Sequence, residues 1–278
     1  MSRFGPAGRS DELRREDVQT SRGTFATLAG LPHDTSLPRG SALLVPGYTG
    51  SKEDFANLLP LLAESGWSAA AYDQRGQFET PAQAGDDLSI QGWAADAVAV
   101  AGALFGTAER VHLVGHSFGG LVAAAAAIDF AERWASLTLL CSGPGAIEGP
   151  RQLERLAMAE AIESDGLEAV YRRQADPQTP SQDEQFLHRR FVSSSPQSLI
   201  AMCHALAETP DRSAALAALD LQVAVVRGEA DDAWPHEVQE ALASSVGTRV
   251  VVIPDSAHSP ALENPTETRD ALARIWLG

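Results

Sequence analysis

The chain of 278 residues carries 21 basic and 37 acidic side chains, a formal net charge of −16 at pH 7, and 44% hydrophobic residues. Its length suits one large domain with an insertion or two small domains, and its apolar content supports a sizeable core and excludes a disordered chain. The negative field excludes nucleic acid and anionic membrane as partners and favours neutral over highly anionic substrates, although its simplest role is solubility.

No stretch approaches the roughly 20 unbroken apolar residues of a membrane helix. Met1-Ser2-Arg3-Phe4-Gly5-Pro6 lacks the apolar core of a signal peptide, so the expected location is the cytoplasm. Lys52 is the only lysine. Cys141, at the end of a strand-like run, and Cys203, in a helical pattern, lack metal-ligand spacing and read as buried free thiols.

Residues 1 to about 22 mix both charge signs, as in Asp11-Glu12-Leu13-Arg14-Arg15-Glu16-Asp17, and read as a loose surface helix or an arm. Thr24 to Leu31 reads as an edge strand, followed by a proline- and glycine-punctuated loop up to Gly40. Ala42 to Val45 is a buried strand that ends at Pro46-Gly47-Tyr48-Thr49-Gly50. Phe55, Leu58, Leu59 and Leu62 recur with helical spacing, but Pro60 interrupts them, which predicts a turn and then a helix. Trp67 to Tyr72 is a strand ending in Asp73-Gln74-Arg75-Gly76, and Trp93, Ala97, Val100 and Leu104 mark a helix that stops near Gly106. After the strand Val111 to Val114 comes an alanine-rich helix through Trp134, apolar nearly all round and therefore buried. Leu137 to Cys141 is a further strand.

Residues 143 to 219 contain no strand pattern; helical stretches joined by loops such as Asp176-Pro177-Gln178-Thr179-Pro180-Ser181 read as a helical insertion. Alternation resumes with the strand Val223 to Arg227, a helix from about Pro235, the strand Arg249 to Ile253 and a final helix from Pro265 to Leu277. Short apolar strands alternating with helices predict an α/β fold with a mostly parallel central sheet covered on both faces. The expected organisation is a polar arm over 1–22, a core over 23–142 and 220–278, and the helical insertion over 143–219.

Chemistry concentrates at Gly115-His116-Ser117-Phe118-Gly119-Gly120. Gly-x-Ser-x-Gly between a strand and a helix is the context of a nucleophile elbow, a sharp strained turn that exposes a serine hydroxyl above the sheet edge. The plainer alternative is a β-turn in which Ser117 caps the helix. A serine hydroxyl needs a base within hydrogen-bond reach. Among seven histidines, His258 is the best placed, because its loop leaves the C-terminal end of a strand, where α/β sheets gather their chemistry. His116 reads as a packing residue, and His188 and His204 at most as pocket lining.

The imidazole in turn needs a carboxylate. Asp231 is preferred to its neighbours Asp232 and Glu229, because it falls where the turn after a strand first exposes a side chain. Met158, Tyr171, Phe186, Phe191, Met202 and Trp234 are candidates for an apolar pocket. Such side chains at helical spacing are core more often than lining, so none is taken as a site residue.

Over about residues 25 to 278 the chain resembles the α/β-hydrolases, in their esterase- and lipase-like serine hydrolase branch. Four stretches carry the resemblance: Pro46-Gly47-Tyr48-Thr49-Gly50, Asp73-Gln74-Arg75-Gly76, the elbow around Ser117, and Gly228-Glu229-Ala230-Asp231 with Ala257-His258. The order Ser117, Asp231, His258 is that of the triad on an α/β sheet. The resemblance implies that the backbone N–H groups of Tyr48 and Phe118 face a developing oxyanion, that Asp73 and Arg75 are structural, and that the insertion is a lid. Pro46 stands where the family usually has a histidine, and Gln77-Phe78 depart from its usual Asp-x-Arg-Gly-His-Gly, so the loop after Gly76 is expected to differ in shape.

The expected activity is cleavage of a small neutral ester, thioester, lactone or amide through an acyl-enzyme on Ser117. A serine at the elbow, not an aspartate, speaks against epoxide opening and halide displacement through an ester intermediate. The alternatives are carbon–carbon bond hydrolysis by the same triad and a non-catalytic ligand binder on this fold. The expected partner is a small-molecule substrate, and neither a metal nor an organic cofactor is implied.

Overall fold

The computed structural model describes residues 13–32, 39–174 and 181–278. Residues 1–12, the part of the first expected loop at 33–38 and the insertion loop at 175–180 lie outside the described residues. Eight strands form one sheet: β1 (Arg14–Thr20), β2 (Gly23–Gly30), β3 (Gly40–Val45), β4 (Trp67–Tyr72), β5 (Val111–His116), β6 (Trp134–Leu140), β7 (Gln222–Gly228) and β8 (Val251–Ile253). Their order is β1-β2-β4-β3-β5-β6-β7-β8. The pairs β1/β2 and β2/β4 are antiparallel and all others are parallel.

The helices are α1 (Leu59–Glu64), α2 (Ile90–Phe105), α3 (Phe118–Asp129), α4 (Pro150–Gln174), α5 (Gln182–Val192), α6 (Pro196–Glu208), α7 (Ser213–Ala217), α8 (His236–Ser245), α9 (Pro260–Glu263) and α10 (Pro265–Leu277). The period-2 alternation of the strands divides the interior into two cores. Leu43, Val45, Leu113, Leu137, Leu139 and Val225 pack on one face with Trp93 and Ala97 of α2 and the alanines of α3. Ala42, Leu44, Val114, Leu140 and Val226 pack on the other with Leu59 and Leu62 of α1 and Leu272 and Trp276 of α10. Each face is sealed by helices, which is why these strands read as nearly continuous apolar runs. No helix among the described residues is long and apolar enough to cross a membrane.

Three expectations need correction. The polar N-terminal segment is neither helix nor free arm where it is described: residues 14–20 are β1, paired from Arg14 opposite Ala29 to Thr20 opposite Gly23. An edge strand joins a sheet through its backbone, so its largely exposed side chains carry no apolar stripe to reveal it. β2 is consequently an inner strand and not an edge. The alanine-rich helix stops at Asp129, a short 3-10 turn covers Ala131–Arg133, and Trp134 opens β6. No glycine or proline marks that boundary; the Trp134 indole turns back onto α3 and donates from Nε1 to the Ala126 carbonyl at 2.9 Å.

The only lysine is buried. Lys52 Nζ lies 2.9 Å from Asp73 Oδ2 and 3.2 Å from Glu53 Oε1, also reaches Glu79, and sits 5.0 Å from the centre of the Phe78 ring. Burial alone would lower its pKa, but Asp73 and Glu53 outweigh burial and raise it. Burial pushes the Asp73 carboxyl up to about 6 against the pull of Lys52. Lys52→Met leaves a buried carboxylate without its counter-charge and should cost about 3–5 kcal/mol at pH 7, measured by urea unfolding. The deficit should shrink towards pH 5 as Asp73 takes up a proton; a loss that does not change with pH would assign it to packing instead.

Candidate active site

The C-terminal ends of the parallel strands converge on one edge of the sheet. β5 delivers Ser117 there, in a backbone conformation (φ 53°, ψ −120°) that residues other than glycine rarely adopt. Such a residue stores on the order of 1–3 kcal/mol of strain unless its surroundings hold it. Ser117 N donates to the Leu140 carbonyl at 2.9 Å, and the Ser117 carbonyl accepts from Gly120 N and Ser142 Oγ, both at 2.8 Å. Glycine is required two residues on: a Cβ at Gly119 would stand 2.3 Å from the Val45 carbonyl oxygen.

His258 Nε2 lies 2.9 Å from Ser117 Oγ, and His258 Nδ1 lies 2.8 Å from Asp231 Oδ1. With Nδ1–H donating to the carboxylate, Nε2 is left to accept the serine proton. Of the three acidic candidates after β7, only Asp231 reaches the imidazole. The Asp232 side chain is 77% exposed and pairs with Arg151 at 3.0 Å, and Glu229 accepts from the Asp255 N–H. Burial alone would raise the Asp231 pKa; hydrogen bonds from His258, from Gln239 Nε2 at 2.8 Å and from Ala233 N at 3.2 Å outweigh it and hold the carboxyl below its ordinary value.

His116 does more than pack. Its Nε2 lies 2.6 Å from the His258 carbonyl oxygen, so Nε2 carries the proton and donates, fixing the backbone of the histidine loop from the elbow side. Burial pushes its pKa down to about 4, which keeps the ring neutral near pH 7.

The loop after β3 runs against the serine: a Cβ on Gly47 would lie 3.1 Å from Ser117 Cβ. Two glutamines from the loop after β4 hold it. Gln74 Nε2 donates to the Pro46 carbonyl at 2.9 Å, and Gln77 Nε2 donates to the Gly47 carbonyl at 2.8 Å. The Gly47 carbonyl belongs to the same peptide as the Tyr48 N–H, so Gln77 fixes the direction of that N–H. The Phe118 N–H is the first of α3, where a helix offers its N–H groups no internal acceptor. Asp73 binds Lys52, and Arg75 forms two hydrogen bonds to Asp96 at 2.8 Å, so both brace the loop away from the serine. Neither glutamine was singled out from the sequence; the substitution of Gln77 for the family's usual histidine was the available signal.

A cavity of about 890 Å³ opens over Ser117 and His258, walled on its outer side by α4, α5 and α6. Of the six apolar pocket candidates, Met158, Tyr171 and Phe191 line it. Met202 and Trp234 are buried in the core, and Phe186 packs edge-on against Phe78 at 5.6 Å. His188 and His204 are not in the wall; they pair with Glu168 and Glu208. One trio of possible metal ligands occurs among the described residues, His116, Cys141 and His258, with ligand atoms within 4.8 Å of one another. Both nitrogens of His258 and Nε2 of His116 already engage Asp231, Ser117 and the His258 carbonyl, and burial raises the Cys141 thiol well above its ordinary pKa. The trio is therefore poorly suited to a metal, which needs free imidazole nitrogens and a thiolate.

A model of the alpha/beta hydrolase family matches residues 42–271. A Variovorax paradoxus protein named "Putative carbamate hydrolase RutD" is 37% identical over 123 residues, which is 44% of this chain and 46% of that protein, so the match spans less than half of either. Among solved structures, an esterase from Thermogutta terrifontis superposes with a TM-score of 0.75 at 24% identity, covering 95% of this chain and 98% of its own. An enol-lactonase from Burkholderia xenovorans LB400 does so with a TM-score of 0.75 at 18% identity, covering 95% and 100%. At these identities the likeness is one of fold.

Proposed function

Since the chain belongs to the alpha/beta hydrolase family, we propose that it is a serine hydrolase cleaving a small ester, thioester, lactone or amide through an acyl-enzyme. The observation that carries this reading is the unbroken hydrogen-bonded line Ser117–His258–Asp231 at the floor of the cavity. Ser117 Oγ attacks the substrate carbonyl while His258 Nε2 takes its proton. His258 returns that proton to the leaving group, then activates water to release the acid. Asp231 keeps the imidazole in the required tautomer and balances its charge. The helices between β6 and β7 act as a lid that selects the acyl and alcohol groups.

The N–H groups of Tyr48 and Phe118 stabilise the tetrahedral oxyanion, each contributing about 3 kcal/mol. Gln77 is then a positioning residue for the first of them. Gln77→Leu should lower kcat on a short aryl ester about tenfold to a hundredfold with KM nearly unchanged, in a variant checked for an unaltered melting temperature. A change in KM alone would remove this role.

A fluorophosphonate probe tests the activity. The expected result is one covalent adduct, mapped by mass spectrometry to Ser117. Folded protein that never labels would instead be a ligand binder.

A further inference from the structure

Four arginines line the cavity: Arg151, Arg155, Arg173 and Arg190. Three of them engage carboxylates of the protein. Arg151 pairs with Asp232 at 3.0 Å, Arg190 with Asp54 at 2.6 Å, and Arg173 with Asp165. Arg155 forms no ion pair or hydrogen bond among the described residues, and its Nε is buried without an acceptor. Its guanidinium carbon sits 5.5 Å from the centre of the Tyr48 ring. That ring is itself fixed at its far end, where Cys203 Sγ donates to Tyr48 Oη at 3.2 Å.

A guanidinium over an aromatic face is attracted to the ring without using its hydrogen-bond donors, which leaves N–H groups for a planar two-oxygen acceptor. Arg155 itself lines the cavity, which places its uncompensated charge on the substrate side. The tyrosine beneath it belongs to the loop that runs against Ser117, and Tyr48, Arg155 and Ser117 line one cavity. We propose that Arg155 binds a carboxylate of the substrate, and that the preferred substrates are small esters or lactones bearing a free carboxylate several carbons from the scissile carbonyl. This rests on the serine hydrolase reading above and replaces the expectation of a neutral substrate. The net charge of −16 acts on arrival from solution, whereas selection inside the cavity follows the nearest unpaired charge.

The test compares 4-nitrophenyl hexanoate with mono-4-nitrophenyl adipate, which differ by a terminal carboxylate, in wild type, Arg155→Met and Arg155→Lys. Wild type should prefer the adipate. Arg155→Met should lower the adipate-to-hexanoate ratio of kcat/KM by about tenfold to a hundredfold, mainly through KM for the adipate. Arg155→Lys should restore part of the ratio, since it returns the charge without the planar fork. A wild type that favours the hexanoate, or a ratio unmoved by Arg155→Met because both esters lose equally, overturns the proposal. If Ser117→Ala hydrolyses both esters as fast as wild type, the serine mechanism fails instead, whatever the ratio does.

Discussion

Ser117→Ala is expected to lower kcat on short aryl esters by on the order of a millionfold, with the melting temperature nearly unchanged. The loss is large because, in the proposed mechanism, the Ser117 oxygen is the atom that bonds to the substrate and nothing else in the triad replaces it. The fold should tolerate the change, because alanine carries the same Cβ into the left-handed turn and the hydrogen bonds that hold the turn come from backbone and from Ser142. Adding His258→Ala should reduce the rate little further, since groups that act as a unit are not additive. Turnover of the single variant at the wild-type rate would exclude Ser117 as the nucleophile.

Asp231→Asn should lower kcat about 10⁴-fold, with Asp232→Asn within about threefold of wild type. An asparagine amide can donate to His258 Nδ1, which would move the ring proton to Nε2 and turn the base into a donor facing Ser117. Asp232 lies one residue away, yet its largely exposed pairing with Arg151 contributes little. A greater loss from Asp232→Asn than from Asp231→Asn would reverse the assignment. Hydrogen bonds from His258, Gln239 and Ala233 hold Asp231 below the ordinary carboxylate value despite its burial, which favours its ionised form.

The parts of the molecule that were legible in the sequence are those governed by local pattern. Val111 to Val114, the glycines around Ser117 and the alanines after it dictate strand, turn and helix within a dozen residues. The positions of Asp231 and His258 just after strand ends were legible because the strands themselves were. What escaped depends on contacts distant in the chain. β1 has no apolar stripe, because its partner is the backbone of β2. Trp134 reads as helix from composition and becomes strand through its packing on α3. The work of Gln77 is visible only once the Gly47 carbonyl, thirty residues upstream, is seen beside it. Arg155 resembles any surface arginine until three others in the same wall are found paired.

The burial of Lys52 has a chemical consequence outside the site. Activated esters and anhydrides modify primary amines, and a serine hydrolase of the kind proposed above would work among such reagents. Its one ε-amine is 1% exposed and enclosed by carboxylates, so the folded surface presents no lysine to be acylated by stray acyl donors. Amine-directed labels and cross-linkers will likewise find no lysine to react with while the chain stays folded.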